Sequence, residues 1–288
     1  MLFRIPLRIA LMGALGFTMM PATAEASHFT ARIYDADRYL WDLYSYRWYF
    51  NDGTSDAFDG WGYATINGSQ FYPRNNPYKY FEYGNRGIRS ADNPRYGCFE
   101  VQARMWVPSS GNADSRNYGR QLWNLRNRCG STQNLNFRVY GNLGSDGCMR
   151  ITSNSQGNTQ LNTNLTWVAS DDCSNGGGDP SLAFIFGNGT GRRPSSVRRS
   201  GDNLYFDWNS VSVPANQTRT FLFYTAQNRN QNASHAEARR IATLPTEVLA
   251  NMTAAEKRDL VNFGMGAAVQ NLAMTVSDNN TPSLRATW

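Results

Sequence analysis

Lysine is almost missing from this 288-residue chain: Lys79 and Lys257 stand against 28 basic residues in all. Positive charge is therefore carried by Arg, whose planar fork suits bidentate contacts with carboxylate, sulfate or phosphate and stacks on aromatic rings. Histidine is also scarce, with only His28 and His235, and there are only four Cys. A Ser-His-Asp triad, or a His–carboxylate pair working as acid and base on a sugar, would have to use one of those two His. His28 lies close to the expected mature terminus and His235 in the first turn of an expected exposed helix, with no strand-borne partner visible for either. The 22 acidic residues leave a paired-carboxylate glycosidase open, but no spacing marks two of them. Long hydrophobic runs are absent too. The longest uncharged apolar stretch near the start, Ile9 to Met20, is too short for a comfortable membrane span.

That stretch has another reading. Arg4 and Arg8 precede it, and Pro21 and Ala24-Glu25-Ala26 follow, the layout of a secretory signal peptide cleaved before Ser27. The expectation is an exported chain, secreted or periplasmic/cell-surface, with no transmembrane segment after cleavage and no nucleic-acid partner. No Cys follows the run to take a lipid. Residues 1–26 are set aside, 27–265 are expected to form one domain, and 266–288 a C-terminal extension.

What is present is aromatic and β-prone: 13% of residues are Phe, Trp or Tyr, and only 17% are charged. Short strands are expected at 39–44, 61–66, 78–83, 99–107, 121–125, 135–140, 149–152, 165–169, 182–186 and 220–224, bounded by Gly, Asn, Asp or Pro. Alternation is clear from Phe99 to Met105, where odd positions are apolar and even ones polar. Beyond Asn230 the pattern turns helical. Ser234-x-x-Glu237 and Thr253-x-x-Glu256 read as capping boxes, the first helix stopping at Pro245 and the second running to about Phe263. The fold class is thus mainly β: an antiparallel β-sandwich with two short helices near the C-terminus.

The cysteines permit three connectivities. The midpoint of Cys98 and Cys129 falls in the polar stretch Pro108–Asn117, and that of Cys148 and Cys173 in Asn154–Asn164. Cys129 and Cys148 instead centre on the strand-like Phe137-Arg138-Val139. Two hairpins, each with its Cys pair at the open end, favour Cys98–Cys129 and Cys148–Cys173, each bridge contributing roughly 3–4 kcal/mol on a loop-entropy argument.

Three blocks carry a resemblance: Asp52-Gly53-Thr54-Ser55-Asp56-Ala57-Phe58-Asp59-Gly60, Gly141-Asn142-Leu143-Gly144-Ser145-Asp146-Gly147, and Asp171-Asp172 followed by Gly177-Gly178-Asp179-Pro180. Their order, with Asn262-Phe263 closing the helical part, resembles a secreted bacterial β-sandwich domain found in large extracellular proteins. The resemblance implies a sandwich distantly like the galactose-mutarotase supersandwich. It carries over no catalytic residue, and the four cysteines are not part of its pattern.

Candidate ligand contacts follow from composition. Trp41 and Trp48, in an aromatic-rich span, and Tyr80 in a second one could face sugar rings, whose C–H surfaces suit π clouds and whose hydroxyls suit amides. Arg192, Arg193, Arg198 and Arg199 form a cluster suited to an anionic surface polymer or to plain solvation. Asp52, Asp56 and Asp59 could offer hard oxygens to Ca²⁺ or merely cap turns; no other cofactor is expected. The role these features suggest is a non-catalytic extracellular module that binds glycan or supports a surface assembly. The alternative is a carbohydrate-active enzyme on a related scaffold, an epimerase or polysaccharide-cleaving enzyme.

Overall fold

The computed structural model describes residues 30–73, 79–108, 117–145, 147–173, 175 and 178–265. The signal-peptide reading, the 266–288 extension, and the turn proposed within 108–117 fall wholly or mostly outside these. Along the chain come β1 (Thr30–Tyr34), β2 (Leu40–Tyr44), β3 (Tyr49–Phe50), β4 (Phe58–Ile66), β5 (Ser69–Gln70) and β6 (Lys79–Glu82). Then follow β7 (Gly87–Ser90), β8 (Arg95–Tyr96), β9 (Phe99–Trp106), β10 (Tyr118–Asn127), β11 (Gln133–Leu143) and β12 (Arg150–Asn154). The last strands are β13 (Trp167–Asp171), β14 (Ser181–Ile185), β15 (Ser196–Ser200), β16 (Asn203–Val213) and β17 (Thr218–Asn228), before α1 (Gln231–Ala242) and α2 (Ala254–Arg258).

Among the described residues these strands make two antiparallel sheets. An eight-stranded sheet runs β1-β2-β3-β4-β11-β16-β15 with β5 against β4; a nine-stranded sheet runs β12-β13-β14-β17-β10-β9-β7-β6 with β8 against β9. Alternation decides what each sheet turns inward. Leu135, Phe137 and Val139 of β11 and Val101, Ala103 and Met105 of β9 enter one core, together with the fully buried Trp41, Trp61, Trp123 and Trp208. A few polar bonds thread between the layers and fix their orientation. Trp61 Nε1 donates to Thr225 Oγ1 at 2.8 Å, and Gln227 donates to the Leu40 carbonyl at 2.7 Å while accepting from Thr54 N at 3.1 Å.

The nine-stranded sheet is covered on its other face as well. Ala238 and Ile241 of α1, then Val248, Leu249 and Phe263, pack with Ala183, Ile185, Leu222 and Tyr224 in a second cluster. Every residue of β13 and β14 is buried, as strands sandwiched on both sides must be. Arg120 reaches through this layer, donating to the carbonyls of Val248 (3.0 Å) and Ala250 (2.6 Å) with its guanidinium 4.5 Å from the Trp106 ring. The 3-10 turn Thr246–Leu249 is held to the sheet this way.

Both helix ends differ from expectation in part. Asn230, not Ser234, caps α1, accepting from Ala233 N at 2.9 Å; Ser234 is buried and donates to the Leu182 carbonyl at 2.7 Å. The Thr253–Glu256 capping box is present, but α2 ends at Arg258, because Thr220 N donates to the Asp259 carbonyl and Val261 N to that of Thr220, drawing the chain alongside β17. Disulfides join Cys98 to Cys129 and Cys148 to Cys173, with Cα separations of 5.3 and 5.6 Å, at the β9–β10 and β12–β13 hairpins.

The turn between β1 and β2 is built on a buried acid. Asp35, 4% exposed, accepts from Asp37 N and Tyr39 N at 3.0 Å each and from Trp41 Nε1 at 2.8 Å. Burial nevertheless pushes its pKa from 3.8 up to about 6. The folded state thus keeps this proton to higher pH than the unfolded chain does. Its stabilisation is complete below the unfolded pKa and is lost as pH rises through the folded one. Relative to Asp35→Asn, the native protein is expected to lose ~3 kcal/mol of unfolding free energy between about pH 3.5 and about pH 7. Urea titrations of both proteins across that range check this; parallel curves would refute it.

Candidate functional site

The sequence-nominated residues do not converge. Trp41 and Trp48 are corrected outright: both are 0% exposed and belong to the core, so neither can stack on a ligand. Strand alternation in β2 turns Trp41 and Leu43 inward, and Trp48 enters the core from the β2–β3 turn with a left-handed φ of 61°. Tyr80 is exposed, with Arg89 stacked 5.2 Å from its ring, but it sits on the edge strand β6 of the nine-stranded sheet.

The arginine cluster is not a single loop. Arg198 and Arg199 lie on β15, the edge of the eight-stranded sheet, where alternation sends them to opposite faces. Arg192 donates to the carbonyls of Asn209 and Ser210, and Arg193 to that of Asn164. Asp52, Asp56 and Asp59 are exposed around a short 3-10 turn. Among the described residues no three His, Cys, Asp or Glu gather closely enough to hold a metal ion.

What the structure does bring together is a row of tyrosines on the outer face of the eight-stranded sheet. Tyr44 (β2) pairs with Tyr49 (β3), Tyr63 (β4) with Tyr140 (β11), Tyr140 with Tyr205 (β16), and Tyr205 with Arg198 (β15). Successive ring centroids are 4.9, 4.3, 5.5 and 5.7 Å apart, the last pair stacked at 4°, and the Arg198 guanidinium lies 3.8 Å from the Tyr205 ring. Five strands at about 4.8 Å spacing make the row roughly 19 Å long. All five rings are half-buried.

A β-bulge makes the row continuous. Trp61 and Tyr63 are two residues apart and should share a face, yet Trp61 is in the core and Tyr63 outside. Between them the β4–β11 register shifts by one residue, and Gly62 takes a φ of 94°. Deeper polar anchoring comes from Gln121, which donates to the Gly62 carbonyl at 3.1 Å.

The rim of the row is cationic. Arg138 donates to Asp207 at 2.5 Å, and Arg198 lies 4.0 Å from the same carboxylate. At the other end Arg47 sits 5.9 Å from the Tyr72 ring, and Tyr72 donates to Gln70 at 2.9 Å and meets Tyr46 edge-on. The Tyr49 and Tyr63 hydroxyls are hydrogen-bonded to each other. Burial pushes the phenols of Tyr49, Tyr63 and Tyr140 above their usual range, so all three are neutral donors and acceptors at physiological pH. The sequence signal for this face lay in parity: Tyr140 occupies the outward position of an expected strand, and β16 alternates Leu204, Phe206, Trp208 inward with Tyr205 outward.

His235 needs a second correction. It does have a strand-borne neighbour: its Nε2 lies 3.0 Å from Thr152 Oγ1 on β12 and its ring 6.4 Å from that of Trp167. Burial, then Arg239, lowers its pKa, which holds the imidazole neutral. The pair is an anchor for α1 on the nine-stranded sheet, remote from the tyrosine row.

Fold and face together define a class: a two-sheet antiparallel β-sandwich, helices over one sheet and an open tyrosine row on the other. No protein-family model matches the chain, and no curated protein sequence matches it. Among solved structures, a candidate aldose 1-epimerase from Klebsiella pneumoniae subsp. pneumoniae is similar at TM-score 0.38 and 10% identity, over 62% of this chain and 57% of that one. A candidate aldose 1-epimerase from Escherichia coli is similar at TM-score 0.39 and 6% identity, over 65% and 95%. A polysaccharide lyase is similar at TM-score 0.38 and 10% identity, over 73% of this chain and only 32% of the lyase.

Proposed function

We propose that this protein is a secreted, non-catalytic module whose eight-stranded sheet binds a glycan chain along the tyrosine row. The observation that carries this reading is the register of Tyr44, Tyr49, Tyr63, Tyr140 and Tyr205 across five neighbouring strands. Apolar ring faces meet the C–H faces of sugars, and neutral phenols with the Arg rim meet hydroxyls. A row of roughly 19 Å suits an oligosaccharide rather than a single sugar. Binding is favoured over turnover because Tyr49, Tyr63 and Tyr140 hold their protons too firmly to act as bases near neutral pH, and Asp207 is engaged by Arg138 and Arg198.

A glycan array followed by calorimetry tests this. Tyr63→Ala and Tyr140→Ala are each expected to weaken binding about tenfold, with the phenylalanine variants losing less, while Tyr80→Ala leaves it unchanged. No glycan bound by the native protein, or undiminished binding by both alanine variants, would overturn the proposal. Turnover of a bound glycan would move the protein to the enzyme class.

A further inference from the structure

The four clustered arginines part company in the fold, and one of them leads to a second charged feature. The chain passes from the eight-stranded to the nine-stranded sheet between β16 and β17, and an open groove of about 240 Å³ lies at that corner. It is lined by Arg192, Val211, Ser212, Arg219 and the segment Arg258 to Val261. Hydrogen bonds lock the walls: Arg192 N donates to the Val261 carbonyl, and Thr220 N to the Asp259 carbonyl. Three arginines therefore line one cleft whose only acidic lining residue is Asp259.

Their bonds leave donors to spare. Arg192 spends Nη2 on the carbonyls of Asn209 and Ser210, and Arg219 spends Nε and Nη1 on those of Ser212 and Thr218 at 3.3 Å each. Arg258 spends Nε and Nη2 on Asp259. Among the described residues this leaves Nε and Nη1 of Arg192, Nη2 of Arg219 and Nη1 of Arg258 without an acceptor. Holding three cations together with one anion costs mutual repulsion, which a bound dianion offsets.

We propose that this groove is an oxyanion site for a sulfate or phosphate ester, with Arg219 and Arg258 as its principal donors and Arg192 as a third. A tetrahedral oxyanion offers several acceptors to the forked donors of Arg, and charge-assisted bonds of this kind are the strong ones. The site shares no residue with the tyrosine row, so either can fail without the other.

The test is calorimetry with inorganic sulfate, glucose 6-sulfate and glucose 6-phosphate as separate titrants. Arg219→Gln and Arg258→Gln are each expected to weaken binding about tenfold. Arg258 is 69% exposed at the side chain, so its removal leaves the fold intact. Asp259→Asn is expected to tighten binding several-fold, because it removes the competing anion. Arg150→Gln, exposed on β12 at the far edge of the nine-stranded sheet, serves as the charge-matched control and should change nothing. Tighter binding of one ester than the other assigns the source of the anion. The proposal falls if no titrant binds at millimolar concentration, or if the Arg219 and Arg258 variants bind like the Arg150 control.

Discussion

Replacing Asn262 by Asp is expected to cost about 4 kcal/mol of stability at neutral pH. Strands β14 and β17 pair as far as Ile185 and Tyr224, and beyond that point the amide of Asn262 is inserted between them. Its Oδ1 accepts from Leu222 N at 3.0 Å, and its Nδ2 donates to the carbonyls of Phe186 (2.9 Å) and Leu222 (2.6 Å). The residue is 0% exposed. A carboxylate would turn two donor contacts into oxygen–oxygen repulsion and bury a charge without a counter-ion. Protonation would restore one donor, so the loss should shrink in acid. Asn262→Leu, which has no proton to gain, should show no such recovery. Urea unfolding of both variants at about pH 7 and about pH 4 measures this. A loss below about 1 kcal/mol for Asn262→Asp at neutral pH would show that the bridge carries little.

The second large effect is expected at Gly144. A Cβ there would sit 1.5 Å from the Asp56 carbonyl oxygen, and one on Gly141 would sit 2.4 Å from that of Gly60 and 2.5 Å from Trp61 Cα. In each case the obstacle is backbone, which cannot rotate aside. Gly144→Ala should therefore lower stability by ~3 kcal/mol or more, with Gly141→Ala close behind. Gly130→Ala, which meets nothing within 4 Å, should stay within about 0.5 kcal/mol of native. Thermal or urea unfolding of the three variants provides the check; equal behaviour of Gly144→Ala and Gly130→Ala would contradict the packing argument. The two glycine-bearing blocks noticed in the sequence, 52–60 and 141–147, are thus neighbours, and their glycines permit that approach.

Features fixed by a residue's nearest neighbours could be read from the chain. The alternation of β9 and the reciprocal Thr253–Glu256 cap are of this kind, since the residues that decide them are adjacent or three apart. Ser234 misled because a cap needs only a small hydroxyl at the right spacing, and tertiary packing claimed that hydroxyl for the Leu182 carbonyl. The short strands β3, β5 and β8 have two residues each, too few for any period to show. β15 carries one inward apolar residue, Val197, among Ser and Arg, too little for a period, whereas β16 alternates from Leu204 to Trp208. Trp41 and Trp48 were nominated for their chemistry, but burial, which the inner face of β2 and a left-handed turn decide, removed them. The tyrosine row was out of reach for a different reason. Its members come from five strands spread from residue 44 to 205, and joining them requires the sheet order β2-β3-β4-β11-β16.

The bulge at Gly62 makes that face tolerant of one kind of change and intolerant of another. Outward positions such as Tyr63 and Thr65 can exchange one side chain for another without disturbing Ala64 and Ile66 beneath them. Chain length in β4 has no such latitude. Losing or gaining one residue beside the bulge would shift the parity of everything downstream, driving phenol and threonine inward and lifting alanine and isoleucine into water. Relatives that diverge by substitution can therefore alter what the face recognises. Those that diverge by a single-residue insertion or deletion in this strand must give up either the face or the core.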